Sequence, residues 1–396
     1  MTKMTPRFIA NLLALAVAIP ACGDLSDVPA VVVNVDYRPN GELVVFTSGG
    51  VKTYQGDFER EVGSFPIGTD DPYNLQYNAT HLSDDGRLAA VSYGQQTVLY
   101  RIPDGSSLGS LRPTLSQPFI TLSPKGEKGY AYGGYQVTPT GETHIESLYS
   151  LSDGSQLWSV DYLQQIRPTT YCHTFSDETS PPVFTPDGAR MFLAFGEHLM
   201  TADVSSGAMH EIATVHACIG GLTLLTDGSL LVLHGLSSFW GYPGLNGAPL
   251  TNPDLPDAAL PNSFAIYAQD GTLVRQIPPF QGYYTEATTV LRDSPMYCSP
   301  LGDRCAMFAE KVETQTAADG TTTIASAQGF VLVWSLDGTL LYRIPAPAPG
   351  TAAFSPDGSR LAIAFVYSES PTSSARIYRA DDGTLLAERS YTRGVF

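Results

Sequence analysis

Short runs of apolar residues alternate with glycine-containing turns over most of the chain. One run, residues 362–366, follows the stretch Phe354-Ser355-Pro356-Asp357-Gly358. Proline presets φ at the first central position of a tight turn, aspartate supports the turn through its side chain, and glycine accepts the left-handed conformation that follows. A run that is apolar at nearly every position is typical of a strand buried on both faces. The stretch therefore predicts one strand ending at Phe354 and a buried strand after Gly358.

The same unit occurs seven times along the chain. Its turn glycines are Gly41, Gly86, Gly126, Gly188, Gly228, Gly302 and Gly358. A second signal follows most copies, in which a short strand with an aromatic residue near its end runs into another turn: Asp104-Gly105, Asp153-Gly154, Asp270-Gly271, Asp337-Gly338 and Asp382-Gly383. Each repeat thus contains four strands, which we letter A to D from the innermost strand to the outermost. The pattern predicts an all-β chain folded as a seven-bladed β-propeller of four-stranded antiparallel blades.

This pattern resembles bacterial WD-repeat-like β-propellers of the YVTN type, whose blades carry the Ser-Pro-Asp-Gly turn and a later Asp-Gly-Thr-Leu. The resemblance covers nearly all of the chain after about Val31. It implies the fold and not the task, since propellers serve as enzymes, binding platforms and structural modules.

Two features of the ring stay open at this point. The sixth repeat, Ser299-Pro300-Leu301-Gly302, is degenerate, and the long interval between Gly228 and Gly302 leaves room for an eighth blade. An apolar strand over residues 30–37 is able either to complete the last blade or to begin the first.

The N-terminus has the pattern of an export signal. Lys3 and Arg7 precede an apolar segment over residues 8–19, which is shorter than the roughly 20 residues that span a bilayer. The sequence Ile19-Pro20-Ala21-Cys22 resembles a bacterial lipobox, which implies cleavage before Cys22 and acylation of that cysteine. The expected domains are a signal peptide over 1–21, a short tether over 22–29 and the propeller over 30–396. Ordinary secretion with a free Cys22 is the alternative.

By resemblance to the sorting rule of enteric bacteria, Gly23 after Cys22 favours the outer membrane. The expected location is therefore the bacterial cell envelope, with the membrane contacted only through the lipid. The net charge of −17 makes nucleic acid an unfavourable partner. We expect a monomer.

Four cysteines remain after Cys22. Cys298 and Cys305 flank the sixth turn, so we expect them to face each other across two strands and form a disulfide. Cys172 and Cys218 precede the fourth and fifth repeats, and a second disulfide between them is the favoured interpretation. The rival is a metal site formed by these two cysteines with His173 and His216, a ligand set that zinc accepts.

Every long insertion falls in a B–C or a D–A connection, and these connections share one face of a propeller. The insertions are Phe65–Ala79, Gly133–His144, Asp161–Pro182, Gly235–Asn262, Pro278–Tyr297 and Lys311–Ala327. Loops on a rigid scaffold commonly carry binding sites. Aromatic side chains in these insertions either anchor a partner or pack the loops against the rim. The candidate binding residues are Phe239, Trp240, Tyr242, Tyr283 and Tyr284.

The sequence has no His-Glu-x-x-His, no phosphate-binding glycine loop and no Cys-x-x-Cys. We therefore assign no catalytic residue, no metal and no cofactor, and expect a module that binds an envelope protein or a glycan through the face with the insertions. The alternative is a hydrolase or lyase, with or without a metal, whose site lies at the axial mouth of that face. A third possibility, a structural role in outer-membrane assembly, is disfavoured because the propeller lipoprotein of that machinery has a different, tryptophan-rich repeat.

Overall fold

The computed structural model of the chain is built of β-strands joined by turns. It describes residues 31–67, 80–93, 96–111, 119–132, 136–138, 141–143, 145–161, 181–215, 219–234, 263–277, 289–291, 296–316, 322–346, 350–365 and 373–391. None of these residues belongs to a helix, so the described part of the chain contains no helix that could span a membrane.

The strands form seven antiparallel sheets arranged as the blades of a ring, which confirms the predicted seven-bladed β-propeller. Blade 1 contains β1 (Val32–Tyr37), β2 (Leu43–Thr47), β3 (Gly50–Gln55) and β4 (Arg60–Pro66). Blade 2 contains β5 (Thr80–Leu82), β6 (Leu88–Tyr93), β7 (Gln96–Arg101) and β8 (Ser107–Leu111). Blade 3 contains β9 (Phe119–Leu122), β10 (Lys128–Tyr132), β13 (Ile145–Ser150) and β14 (Gln156–Asp161). A two-stranded hairpin, β11 (Gln136–Thr138) and β12 (Gly141–Thr143), is inserted between the B and C strands of blade 3.

Blades 4 to 7 follow the same order. Their strands are β15 (Val183–Phe184), β16 (Arg190–Phe195), β17 (His198–Asp203), β18 (Met209–Thr214); β19 (Ile219–Leu224), β20 (Leu230–His234), β21 (Ser263–Tyr267), β22 (Leu273–Ile277); β23 (Thr289–Leu291), β24 (Tyr297–Cys298), β25 (Arg304–Thr316), β26 (Thr322–Ser335), β27 (Leu340–Pro345); and β28 (Gly350–Phe354), β29 (Arg360–Phe365), β30 (Ser373–Arg379), β31 (Leu385–Tyr391).

The repeated turns have the predicted conformation. All seven turn glycines between A and B strands have positive φ, between 65° and 84°. In blade 7, Ser355 Oγ donates to Asp357 Oδ1 at 2.5 Å and accepts from Arg360 N at 3.0 Å, so one side chain closes both sides of the turn. The A strand ends at Phe354 and the B strand begins at Arg360. The strand bounds expected from the sequence of this repeat are therefore confirmed.

The core lies between blades rather than within one blade. Phe308 and Val331 of blade 6 pack with Phe354 and Ile363 of blade 7 in a single buried cluster. The A strands of neighbouring blades contact each other around the axis, whereas the outer D strands are partly exposed, for example at Leu273. Each blade therefore contributes both faces of its B and C strands to the core, which explains their continuous apolar runs.

The ring closes without sharing a strand between the two ends of the chain. β1 is the A strand of blade 1, and blade 7 consists entirely of C-terminal strands. Val35 N donates to Thr351 Oγ1 at 3.2 Å, and Arg360 Nε lies 2.5 Å from Asp57 Oδ1, so side chains connect blade 7 to blade 1. The open question about residues 30–37 is thus answered: this segment begins the first blade.

Candidate functional site

The two faces of the ring differ in the chain segments that form them. The turn face carries the A–B and C–D turns, including those closed by Gly41, Gly86 and Gly358. The insertion face carries the B–C and D–A connections, and the order of the strands places all the long insertions there. This distribution agrees with the sequence-based assignment.

A long hairpin extends from the insertion face at blade 6. Strands β25 and β26 stay paired from Arg304 opposite Ser335 to Thr316 opposite Thr322. The neighbouring strand β27 pairs with β26 only as far as Phe330. The eight residues of β26 from Thr322 to Gly329 therefore extend roughly 25 Å beyond the four-stranded part of the blade, at about 3.3 Å per residue. A second, smaller hairpin, β11 and β12 of blade 3, is inserted on the same face.

Most of the residues that the sequence nominated for this face lie outside the described residues. They are the aromatic side chains Phe239, Trp240, Tyr242, Tyr283 and Tyr284. The same holds for Cys22, Cys172 and Cys218, and for His173 and His216 of the alternative metal site. These assignments stay predictions.

The sixth blade contains the predicted disulfide between Cys298 and Cys305. The two cysteines are direct partners across β24 and β25, with their Cα atoms 4.0 Å apart. In blade 7 the pair Phe354 and Leu361 occupies the equivalent place on either side of the turn. The disulfide therefore stands where other blades place an apolar cross-strand pair.

An axial cavity of about 650 Å³ lies at the centre of the ring. Its wall comes mainly from A strands and A–B turns, with Ile120, Ala352 and Phe354 among the apolar residues that line it. Asp36, His81 and Asp84 supply ionisable groups to the same wall. Asp36 is next to last in β1 and Asp84 lies in the A–B turn of blade 2, so these two carboxylates are at the end of the cavity near the turn face.

Asp36 is held on the inner edge of blade 1. Its Oδ1 accepts a hydrogen bond from Tyr37 N at 2.8 Å, and two residues earlier Asn34 Oδ1 accepts from Val35 N at 2.8 Å. These side chains satisfy backbone donors that an innermost strand leaves unpaired. Burial raises the pKa of Asp36 to about 7, and the charge of Asp84 contributes to the increase.

His81 and Asp84 come from blade 2. Burial lowers the pKa of His81 to about 4, and its Nδ1 accepts from Leu122 N at 3.4 Å. The imidazole is therefore neutral near pH 7, with its proton on Nε2. Desolvation at the cavity mouth, followed by the charge of Asp85, raises the pKa of Asp84.

Sequence reasoning missed this group of residues. The alternative hypothesis of an enzyme expects its residues at the axial mouth of the insertion face, whereas Asp36 and Asp84 lie near the turn face. Two signals point to them in hindsight. Asp84 stands where the Ser-Pro-Asp-Gly repeat has proline, and Asp36 is the one charged residue of β1. Among the described residues, no group of three His, Cys, Asp or Glu side chains is arranged to hold a metal ion.

No protein-family model matches the chain, and no curated protein matches it. Solved structures do match the chain. Hydrazine synthase of Kuenenia stuttgartiensis is 13% identical with a TM-score of 0.55, and the match covers 92% of this chain and 99% of that chain. The Cps50 (Swd1) β-propeller domain of Myceliophteria thermophila is 13% identical with a TM-score of 0.52, covering 86% and 94%. The WD40 repeats of RRP9 are 9% identical with a TM-score of 0.51, covering 92% and 95%. The similarity shows the β-propeller fold alone.

Proposed function

We propose that this chain is a lipid-anchored β-propeller of the bacterial envelope that binds a protein or glycan partner through its insertion face. The observation that supports the proposal is the concentration of long connections on one face, with the hairpin of β25 and β26 extending furthest among the described residues. A rigid ring positions such connections accurately while leaving their sequences free to vary, which suits recognition of a partner.

The positions of the chain ends agree with an anchored arrangement. β1 begins at the insertion face with Val32, and β31 ends at the same face with Tyr391. The eleven residues from Cys22 to Val32 span at most about 35 Å between their end Cα atoms when fully extended. A lipid on Cys22 would therefore hold the insertion face towards the membrane, and a partner bound to that face would lie close to the membrane surface.

Photo-crosslinking in the source cells tests the binding face. In one set of variants, a photoreactive residue replaces Gln315 or Thr323 on the hairpin. In the control set it replaces Asn40 or Lys125, which are exposed in turns of the opposite face. We expect a discrete crosslinked product from the hairpin positions and none from the turn positions. Digestion of the product with protease or glycosidase then identifies its chemical class. A product from the turn positions alone would contradict the proposal.

Shortening the hairpin provides an independent test. Lys311 and Gln328 are direct partners, so an Asn-Gly turn replacing residues 312–327 closes a two-residue hairpin at that point. We expect the melting temperature to stay the same and crosslinking from other positions of the insertion face to be lost. A matched variant that replaces 138–141 in the smaller β11 and β12 hairpin controls for general disturbance of the face. Intact mass of the membrane-purified protein checks the acyl groups on Cys22.

A further inference from the structure

The hairpin of β25 and β26 has two edges beyond the blade, and these edges differ in sequence. We propose that the partner of the insertion face is a protein, and that an extended, uncharged segment of this partner adds a strand to the β26 edge. The inference rests on the proposed function and narrows it, because it assigns the partner to one chemical class and to one edge of one hairpin.

Strand β27 covers only the lower part of β26. Their pairing ends with Phe330 opposite Pro345, and one further bond joins Ala346 N to Gly329 O at 2.9 Å. Beyond that bond, no strand of the described residues pairs with this edge of β26. The open edge lies in line with β27, so an added strand would continue the sheet of blade 6 above the ring.

The register of the hairpin shows which backbone groups face each edge. Gly329 bonds to Ala346, so its N–H and C=O point away from β25. Backbone groups alternate in direction along an antiparallel strand, so those of Gln328 point to β25 and those of Ala327 point to the open edge. Val312, the direct partner of Ala327, presents its backbone groups to the opposite edge, on the side of β23. Each edge thus has a donor and an acceptor that no strand of the described residues pairs.

Only one of the two edges has the charges that usually prevent pairing. β25 contains Arg304, Glu310, Lys311 and Glu313, whereas β26 contains no charged residue and no proline from its first residue to its last. Charged side chains, proline and coverage by other segments are the means by which soluble proteins protect an exposed strand edge. The β26 edge has neither charge nor proline, so it favours pairing with another polypeptide.

A bulge sets the length of the segment that this edge accepts. Glu313 lies opposite Ser326 and Thr314 lies opposite Ile324, so Ala325 is an extra residue of β26. A bulge twists its strand and hinders pairing beyond it. We therefore expect the partner segment to pair between the end of β27 and the bulge, with Ala327 as the central contact.

The chemistry of the edge favours a polypeptide over a glycan. In strand addition, main-chain hydrogen bonds supply the affinity. A glycan lacks the regular alternation of N–H and C=O groups that the edge presents. Because β26 has no charge to compensate a charged partner, an uncharged segment is the best match.

Two proline variants at facing positions test the proposal. Ala327→Pro removes the N–H of the β26 edge and Val312→Pro removes that of the β25 edge, and neither N–H takes part in the pairing of the two strands. Each variant carries a photoreactive residue at Thr323, and crosslinking is performed in the source cells. We expect Ala327→Pro to reduce the yield of crosslinked product about tenfold or more, since the edge loses a hydrogen bond and the ring blocks close approach. Val312→Pro should leave the yield unchanged, and protease should digest the partner in the product.

The pairing of the hairpin is measured in separate preparations of the same variants. Gln315 and Thr323 are direct partners, so Gln315→Cys with Thr323→Cys allows a disulfide only when the hairpin is paired. We expect this disulfide in both proline variants. If a proline opens the hairpin, Ala327→Lys and Val312→Lys replace the proline pair, because a charge protects an edge without removing a backbone donor.

Three outcomes would overturn the proposal. One is an undiminished product from the Ala327 variant of a paired hairpin. A second is an equal loss in the Ala327 and Val312 variants, which would mean that the partner contacts the hairpin without adding a strand to this edge. The third is a product that glycosidase digests, or one with the mass of two copies of this chain. In these cases the insertion face still binds, so the proposed function stands, whereas the absence of any product from Gln315 and Thr323 in the parent chain would overturn both.

Discussion

Blades 6 and 7 are neighbours built from the same repeat, and they reach the same four-stranded shape by different means. Blade 7 has one continuous A strand and a full Ser-Pro-Asp-Gly turn. In blade 6 the A strand consists of two short pieces, β23 and β24, that pair with different parts of β25. A disulfide joins β24 to β25 next to the turn.

The turns of the two blades differ in one side chain. Asp357 in blade 7 accepts from Ser355 Oγ and from Ser359 N, whereas Leu301 occupies the equivalent position in blade 6 and is 60% exposed. Both turns keep the backbone bond from the glycine N–H to the serine carbonyl, at 2.8 Å. The comparison teaches that a blade tolerates a broken inner strand and a weaker turn when a covalent bond holds the strand pair in register.

The largest expected effect comes from a glycine in the A strand of blade 7. A Cβ atom on Gly350 would lie 1.8 Å from the carbonyl oxygen of Ala364, so Gly350→Ala must displace β28. We expect a loss of about 3 kcal/mol or more in the free energy of unfolding, measured by chemical denaturation. Gly221→Ala in the A strand of blade 5 is the control, because its nearest contacts are 3.4 Å away. Equal effects of the two substitutions would contradict the steric explanation.

Removing the disulfide should have the next largest effect. Cys298→Ala with Cys305→Ala opens a short loop and is expected to cost about 2 kcal/mol, visible as a lower melting temperature. Cys298→Leu with Cys305→Ala copies the Leu82 and Ala89 pair of blade 2 and should recover part of the loss. No recovery would mean that blade 6 needs the covalent bond itself rather than a filled cross-strand pair.

The aspartate of the blade 7 turn should contribute less, and in a pH-dependent way. The hydrogen bond from Ser355 Oγ and those from Ser359 lower the pKa of Asp357 to about 2. Its contribution is therefore present above about pH 4 and is lost as the pH falls towards 2. Because Asp357 is exposed, Asp357→Ala should cost only about 1 kcal/mol at pH 7 and almost nothing at pH 2. Unfolding curves at both pH values measure the difference.

The smallest effect is expected from restoring the turn of blade 6. Leu301→Asp restores the turn carboxylate, but Ser299 already hydrogen-bonds Asp303, so the substitution should stabilise the protein by only about 0.5 kcal/mol. The gain is small because Leu301 also covers Gly358 of the next turn, where a Cβ atom would meet its Cδ1 at 2.7 Å. A clear loss of stability would show that this contact between blades outweighs the turn acceptor.

The turn repeats predicted most of the fold because each turn needs particular residues at particular places. Glycine was required at all seven A–B turns, and its positive φ is the physical reason that these positions stand out in the sequence. The Cys298 and Cys305 bridge was predictable for the same reason, since both cysteines flank one turn. Ring closure was not, because an apolar strand over residues 30–37 fits either end blade and only the pairing of β1 with β2 decides between them.

The cavity site was beyond such reasoning because its parts are far apart in the chain. Asp36, His81 and Asp84 belong to two repeats, and neither the charge in β1 nor the carboxylate in place of a turn proline shows that these groups line one cavity. Only the ring brings the A strands together around the axis. The binding residues nominated on the insertion face stay predictions, since they lie in connections whose lengths and sequences follow no repeat.

The seam between blades 1 and 7 consists of side-chain contacts, so the order in which the blades appear along the chain is not needed for the ring to close. A circularly permuted chain that begins at blade 2 and joins Tyr391 to Val32 through a flexible linker would contain the same seven complete sheets. Such a chain is expected to fold to the same circular dichroism spectrum and to move the chain ends to another seam. The position of the chain ends is thus separable from the architecture of the ring, and permutation can move the ends to another seam without altering a single blade.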